Sequence, residues 1–137
     1  MKAARSGYNR LDALHFWQAV NMARIRSDAP DLSARQMAIL TAVYLDEQPH
    51  TVKSLAAMLG VTKAVVTRAL DTLSKYKMVR RCADLRDKRS ITVGRTALGA
   101  RYLAEFADMI CGEMPTPKPV QTTIVNKPVV VPMSVAR

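Results

Sequence analysis

The chain has 137 residues, with 21 Lys and Arg against 11 Asp and Glu, which gives a formal net charge of +10. This length fits one ordinary domain and leaves no room for a two-domain enzyme, while a composition that is 49% hydrophobic but only 5% aromatic predicts an aliphatic core and favours helices. The positive charge favours a polyanionic partner, either nucleic acid or an anionic membrane surface.

The first predicted element is a helix over residues 11–25, in which ten of the fifteen residues are apolar. Its polar residues recur every three positions, and because an α-helix turns every ~3.6 residues, the polar stripe winds around the helix axis. We therefore expect this helix to bury different faces at its two ends, and to need a second surface, such as another protomer, to cover the remainder.

Three short helices follow, and their predicted bounds are Ser33 to about Pro49, Thr51 to Gly60, and Thr62 to about Tyr76. The Ser-x-x-Gln sequence at Ser33 fits a capping box, and Gly60 suits the left-handed conformation in which many helices end. Val66, Leu70 and Leu73 form the inner face of the third of these helices. Together the three predict a compact bundle.

Two strand-like segments, residues 78–82 and 90–93, come next and flank a charged loop at residues 84–89, a pattern that predicts a β-hairpin. The last predicted helix runs from Thr96 to about Gly112. Like the first helix, it carries more apolar surface than one contact requires.

The end of the chain, residues 115–137, holds five of the seven prolines and six valines. Proline at this density forbids helix and central strand, so we expect a flexible tail. The alternative is an ordered arm that lies extended across a partner and buries Ile124, Val125 and Val129 to Val131.

The stretch at residues 52–73 matches a helix-turn-helix. Ala56, Gly60 and Val66 supply the small contact residue, the turn glycine and the apolar residue that returns to the core. The other inward positions are also apolar, namely Leu55, Leu59, Val61 and Ala69. Because any short helical hairpin matches part of this pattern, the outward residues must carry the functional argument.

Short or cationic side chains form the outer face of the second helix of this motif: Thr62, Lys63, Ala64, Thr67 and Arg68. The cations suit guanine acceptors or phosphates, the hydroxyls suit bases or phosphates, and the alanine methyl suits a thymine methyl in the major groove. Taken alone, each of these residues fits a solvated helix face better than a DNA contact. However, residues 62–95 hold ten Lys and Arg against three Asp, a surplus of seven that coincides with this helix and the hairpin.

Residues 33–110 resemble the MarR family of winged helix-turn-helix regulators, because the second helix is followed by a hairpin whose residues 84–89 read Asp-x-Arg-Asp-x-Arg. The resemblance implies that Arg86 enters the minor groove at the wing tip, where narrow grooves attract arginine. It implies that Asp84 and Arg89 brace the loop, and it adds Lys88 and Arg89 to the expected DNA-binding residues.

The resemblance implies a mainly α fold with a small β-hairpin, in which the N- and C-terminal helices form a dimerisation region. The expected division is a flexible N-terminus (1–9), an N-terminal dimerisation helix (10–30), a winged helix-turn-helix DNA-binding domain (31–95), a C-terminal dimerisation helix (96–113) and a flexible tail (114–137). Two features depart from the family pattern. The turn before the wing has Tyr76-Lys77 in place of glycine, so Lys77 or a neighbour is expected to be left-handed, and the last helix is short.

The predicted function is sequence-specific binding of double-stranded DNA by a homodimeric transcriptional regulator on a pseudo-palindromic operator. The alternative is a winged-helix module that binds another protein and shows no steep salt dependence. A membrane surface is disfavoured because the charge does not lie on one amphipathic helix. The N-terminus has no apolar block typical of a signal peptide, so we expect a cytoplasmic, nucleoid-associated protein.

No enzymatic activity, cofactor or metal is expected, because His15 and His50 lie in separate segments without a matched Ser, Cys or carboxylate. Cys82 and Cys111 are expected to be reduced thiols, and Cys82, among basic residues, is either a redox switch or a small buried hydrophobic residue. The resemblance also implies an unidentified small-molecule effector, in a pocket between the terminal helices and the DNA-binding lobe. The candidate lining residues are His15, Trp17, Tyr44 and Tyr102. The alternative is that these side chains are ordinary core residues.

Overall fold

The computed structural model of the protein describes residues 7–84, 86, 87 and 89–115. Its elements in chain order are α1 (Arg10–Arg26), α2 (Ala34–Leu45), β1 (His50–Thr51), α3 (Val52–Leu59), α4 (Lys63–Lys75), β2 (Val79–Ala83), β3 (Ile91–Arg95) and α5 (Ala97–Glu113). The predicted helices and wing strands are confirmed. The predictions for residues 1–6, Leu85, Lys88 and the tail after Pro115 lie outside the described residues.

Side-chain hydrogen bonds cap the N-termini of the helices. Ser33 and Thr51 each accept a hydrogen bond from the backbone N–H three residues on, and in both cases the reciprocal bond completes a capping box. Thr62 and Thr96 cap α4 and α5 in the same way without the reciprocal bond. Because capping residues satisfy backbone donors that helices leave free, these positions explain why the sequence located the helix starts well.

The predicted stop of α2 near Pro49 is wrong, since the helix ends at Leu45. Arg95 accounts for the early end. Its Nε donates to the carbonyl of Val43 and its Nη2 to the carbonyl of Asp46, each at 2.9 Å. A guanidinium that binds the last carbonyls of a helix stabilises that end, and this interaction comes from 49 to 52 residues further along the chain.

A three-stranded antiparallel sheet in the order β1-β3-β2 forms the wing and its base. The predicted hairpin is confirmed as β2 and β3, which pair from Val79 with Arg95 to Ala83 with Ile91. The third strand was missed: His50 pairs with Val93 and Thr51 with Thr92. Two residues are too short to show an alternating pattern, and this strand exists only through its distant partner.

The core lies between α2, α3, α4 and the base of the sheet. Fully buried side chains include Ile39, Leu40, Leu55, Leu70 and Leu73. Among the buried hydrophobic residues of the described chain, Tyr102 is the sole aromatic, so the predicted aliphatic core is confirmed. Burying a large aliphatic side chain contributes roughly 1.5–3 kcal/mol, and this cluster therefore holds the three central helices in fixed relative positions.

The two terminal helices pack against each other outside this core and run antiparallel. Tyr8, before α1, donates to the carbonyl of Pro115, after α5, at 3.2 Å, and the Arg24 guanidinium lies 5.4 Å from the Phe106 ring centre. Val20 is the one buried residue of α1. Five large apolar residues of this helix are exposed, namely Leu11, Leu14, Trp17, Met22 and Ile25. The predicted surplus of apolar surface is therefore present.

Lys77 adopts the left-handed conformation expected at the turn before the wing, with φ of 58°. Thr96 Oγ donates to its carbonyl oxygen at 2.7 Å, and its own N–H donates to the carbonyl of Ser74 at 2.9 Å. These bonds maintain a backbone conformation that costs a residue with a Cβ on the order of 1 kcal/mol.

We expect Lys77→Gly to raise the free energy of unfolding by about 0.5–1 kcal/mol, because glycine adopts positive φ without steric cost. Chemical denaturation of both proteins measures this difference. Lys75→Gly is the matched control. It places glycine in the last turn of α4, where it should destabilise. Equal or lower stability of Lys77→Gly would show that no strain is stored at this turn.

Candidate nucleic-acid interface

The helix-turn-helix consists of α3, the turn at Gly60 and α4. Gly60 is left-handed with φ of 67°, and the N–H of Val61 donates back to the carbonyl of Ala56 at 3.1 Å, which closes α3. The predicted inward residues are confirmed. Leu55, Ala56, Val66 and Ala69 are buried, and Leu59 and Val61 pack partly buried against the core. This packing fixes the orientation of α4.

The opposite face of α4 is open to solvent. All five residues predicted on this face are exposed: Thr62, Lys63, Ala64, Thr67 and Arg68. Thr62 also caps the helix, since its Oγ accepts from the N–H of Val65 at 3.3 Å, which leaves its hydroxyl proton free to donate outward. A helix with this face can enter a major groove without unpacking any core residue.

The described residues of the wing tip are held by aspartate side chains. Asp84 Oδ1 accepts from the N–H of Arg86 at 2.9 Å, and Asp87 Oδ1 accepts from the N–H of Arg89 at 3.0 Å. The side-chain pair expected between Asp84 and Arg89 is not formed between these two described residues. Because a short aspartate readily bonds the backbone two residues on, each acid closes a local turn instead, and the Arg86 and Arg89 side chains stay exposed.

The basic surface is smaller than the sequence count of ten cations. Arg95 is occupied with the end of α2, and its guanidinium also lies 5.9 Å from the Tyr44 ring centre. Arg81 forms an ion pair with Asp71 at 2.6 Å. These two cations serve contacts within the protein, whereas Lys63, Arg68, Arg86 and Arg89 face outward.

Arg35 joins this surface and was missed by the sequence analysis. It lies in the first turn of α2 and lines a groove of about 210 Å³ together with Ser33, Arg68 and Thr72. The groove runs between the start of α2 and the middle of α4. A basic residue two positions after a helix cap was a visible signal, but only the fold brings it beside Arg68.

The aromatic pocket expected for an effector is not assembled as predicted. Tyr102 lines a cavity of about 360 Å³ with Arg24, between α5 and the loop after α1, while His15 lines a separate cleft of about 230 Å³. Trp17 is 59% exposed, and the Tyr44 hydroxyl is hydrogen-bonded to the carbonyls of Met78 and Thr96 at the edge of the core. Burial raises the pKa of Tyr102, whose hydroxyl donates to the carbonyl of Pro30.

His50 has the partners that the sequence analysis failed to find. Its Nε2 lies 2.6 Å from Asp46 Oδ2 and its Nδ1 lies 3.0 Å from Ser54 Oγ. The prediction that His50 has no matched carboxylate or serine is therefore wrong, because the loop after α2 folds back onto the start of α3. Ser54 Oγ accepts from the N–H of Thr51 and donates to its carbonyl, so the cluster closes the cap of α3.

Both cysteines are free thiols, with Cys82 half-buried on β2 and Cys111 exposed on α5. Cys82 lies against Gly94 on β3. A Cβ added at Gly94 would lie 2.9 Å from the Cys82 Sγ. Of the helices in the described part of the chain, none combines the length and apolar character of a membrane span.

Comparison with known structures identifies the fold. The transcriptional regulator Tm0710 from Thermotoga maritima is similar with a TM-score of 0.58 and 20% identity, covering 72% of this chain and 64% of its own. The match thus spans less than two thirds of that protein. The MepR–DNA complex of S. aureus is similar with a TM-score of 0.64 and 20% identity, covering 88% of this chain and 91% of its own. No curated protein matches the sequence significantly.

The family model of the MarR family matches residues 32–91. This segment begins just before α2 and ends at the first residue of β3, so it contains the helix-turn-helix and the wing tip. The solved structures support the same winged architecture. Residues 32–91 of the chain therefore form a winged helix-turn-helix region that matches the MarR family model.

Proposed function

We propose that the protein is a sequence-specific transcriptional regulator that binds double-stranded DNA as a homodimer on a pseudo-palindromic operator. The observation that carries the proposal is the open face of α4, whose five outward residues are all exposed beside a wing with exposed arginines. The S. aureus protein of similar fold was solved in complex with DNA, which supports a role of this surface in DNA binding. The proposal includes no catalytic step, and it places the protein on DNA in the cytoplasm.

The two parts of the surface have different tasks in this proposal. Lys63, Thr67 and Arg68 on α4 read base edges in the major groove, where each base pair presents a distinct pattern of donors and acceptors. Arg86 at the wing tip enters the minor groove, where negative potential attracts guanidinium groups. Arg35 and Arg89 contact phosphates and increase affinity for all sequences. Lys88, also expected from the sequence to bind DNA, completes the proposed contacts.

The homodimer is supported by the exposed apolar side chains of α1. One side of this helix packs on α5, yet Leu14, Trp17 and Ile25 remain 59–69% exposed. Leu98 on α5 is also exposed, at 51%. Because several exposed large apolar side chains on one helix mark an interaction site, a second copy related by a two-fold axis is the simplest occupant. Two such protomers would present their α4 helices to half-sites about one helical turn apart, roughly 10 bp.

Selection of bound sequences from a random duplex pool tests the function, combined with light scattering. We expect an enriched pseudo-palindrome and a particle mass about twice 15.1 kDa. Affinity for the selected duplex should fall on the order of a thousandfold or more between about 50 and 200 mM salt if six or more phosphates are contacted. No enrichment and no salt dependence would instead indicate a protein-binding module, and a monomer with and without DNA would contradict the dimer.

A further inference from the structure

Arg81 on β2 connects the wing to α4, which serves as the recognition helix in the proposed function. Its Nη2 lies 2.6 Å from Asp71 Oδ1 and 3.5 Å from the carbonyl oxygen of Thr67. Both partners belong to α4 and lie four residues apart, so they occupy successive turns of one helix face. One guanidinium thus bridges two turns of α4 from a strand of the wing.

The register of the strand explains this contact. Side chains of a β-strand alternate between faces, so Arg81 lies on the same face as Val79, which is buried at 3% exposure where β2 packs on the core. Arg80 lies on the other face, beside Gly94 of β3. Of these adjacent arginines, only Arg81 is directed toward α4.

Neither bulk stability nor DNA contact accounts well for this pair. The Arg81 and Asp71 side chains are 37% and 59% exposed, and exposed ion pairs stabilise a fold by about 0–1 kcal/mol. An arginine that already binds an aspartate has its charge neutralised locally and is a poor ligand for phosphate. The function of this contact therefore lies in its geometry, which joins β2 to two turns of α4, and not in its charge.

We propose that Arg81 and Asp71 form a clamp that positions the wing relative to the recognition helix, with Arg81 acting as a positioning residue. The inference rests on the proposed function. A protein that places α4 in one groove and Arg86 in another needs a fixed spacing between them, because freedom lost on binding weakens affinity. The clamp fixes that spacing at the turn that carries Thr67, a residue of the reading face, and so connects the two contact elements.

Titration of variants against the selected duplex and a scrambled duplex at several salt concentrations tests the clamp. Asp71→Asn is the informative change, since removal of an acid from a basic surface should strengthen DNA binding by simple electrostatics. The clamp requires the opposite, an affinity for the selected duplex about five- to tenfold lower. Arg81→Gln should give a similar loss with an unchanged salt slope, and the double variant should be no weaker than the weaker single variant.

Arg80→Gln is the matched control, because it removes the same charge from the adjacent position on the opposite face of β2. When Arg80→Gln is combined with Asp71→Asn, the two losses of DNA affinity should add, in contrast to those of Arg81→Gln and Asp71→Asn. Melting temperatures of all variants should stay close to that of the wild type, which separates positioning from folding. Asp71→Asn with wild-type or higher affinity overturns the clamp alone. A wild-type protein that fails to distinguish the two duplexes overturns the proposed function, and the clamp with it.

Discussion

The Gly99→Ala variant is expected to lose about 3 kcal/mol of unfolding free energy, in the range for strongly overpacked sites. A Cβ on residue 99 would overlap the Tyr44 hydroxyl oxygen and the Met78 carbonyl oxygen. The Met78 carbonyl is backbone beside a buried strand, and the Tyr44 hydroxyl is held by several bonds. It lies 2.8 Å from the Met78 carbonyl and 2.9 Å from the Thr96 carbonyl, and it accepts from the Thr96 N–H at 2.8 Å. Neither obstacle can move without breaking the partly buried hydrogen bonds of the Tyr44 hydroxyl, which are costly to leave unmade.

Thermal unfolding followed by circular dichroism measures this effect, with an expected decrease of the melting temperature on the order of 10–20 °C. Gly112→Ala is the matched control. It makes the same substitution in the same helix, at a position where the added Cβ meets no atom within 4 Å. We expect that variant to be at least as stable as the wild type, because alanine favours helix. Wild-type stability of Gly99→Ala would contradict the packing described between α2 and α5.

The Arg86→Ala variant is expected to bind the selected duplex about ten- to a hundredfold more weakly, the range for loss of a charge-assisted hydrogen bond. Because a minor-groove arginine reads groove width, its loss of selectivity should be confined mainly to A·T-rich flanks. Arg68→Ala should differ in kind. Loss of a base contact in the major groove costs roughly 1–3 kcal/mol at one base position within the half-site.

Titration against selected and scrambled duplexes at several salt concentrations distinguishes these effects. Arg101→Ala is the control, since Arg101 is an exposed arginine on α5 whose Nε lies 3.3 Å from Glu105. It should bind like the wild type. Asp84→Ala should reproduce a weaker form of the Arg86→Ala defect, because Asp84 holds the Arg86 backbone without needing to touch DNA. Wild-type binding of both duplexes by Arg86→Ala would show that the wing tip has no role in DNA binding.

Local signals account for the success of the sequence-based predictions. Helix starts were found through side chains such as Ser33 and Thr51, whose capping bonds span three residues. The left-handed Lys77 was anticipated because the family that the sequence resembles has glycine at this turn, and glycine readily adopts positive φ. The inward residues of the helix-turn-helix followed from their spacing, and the exposed face of α4 followed from the inward set.

Errors arose where the relevant contact is distant in sequence. The early end of α2 depends on Arg95, the short strand at His50 depends on Val93, and the missed surface residue Arg35 gained its context from Arg68. The count of basic residues failed for the same reason, since composition does not reveal that Arg81 is paired with Asp71. Sequence patterns locate helices and strands, but which cations remain unpaired on the surface depends on the residues that folding brings beside them.

The apolar surface of α1 has a consequence for how the protein would respond to its own abundance. In the proposed homodimer the exposed apolar side chains of α1 would become buried, so the stability of this helix and the assembly of two protomers would be linked. When protomers are scarce, mass action makes the amount of dimer rise with the square of their concentration. A modest increase in synthesis would then produce a larger increase in operator occupancy, and dilution at cell division would lower it just as steeply.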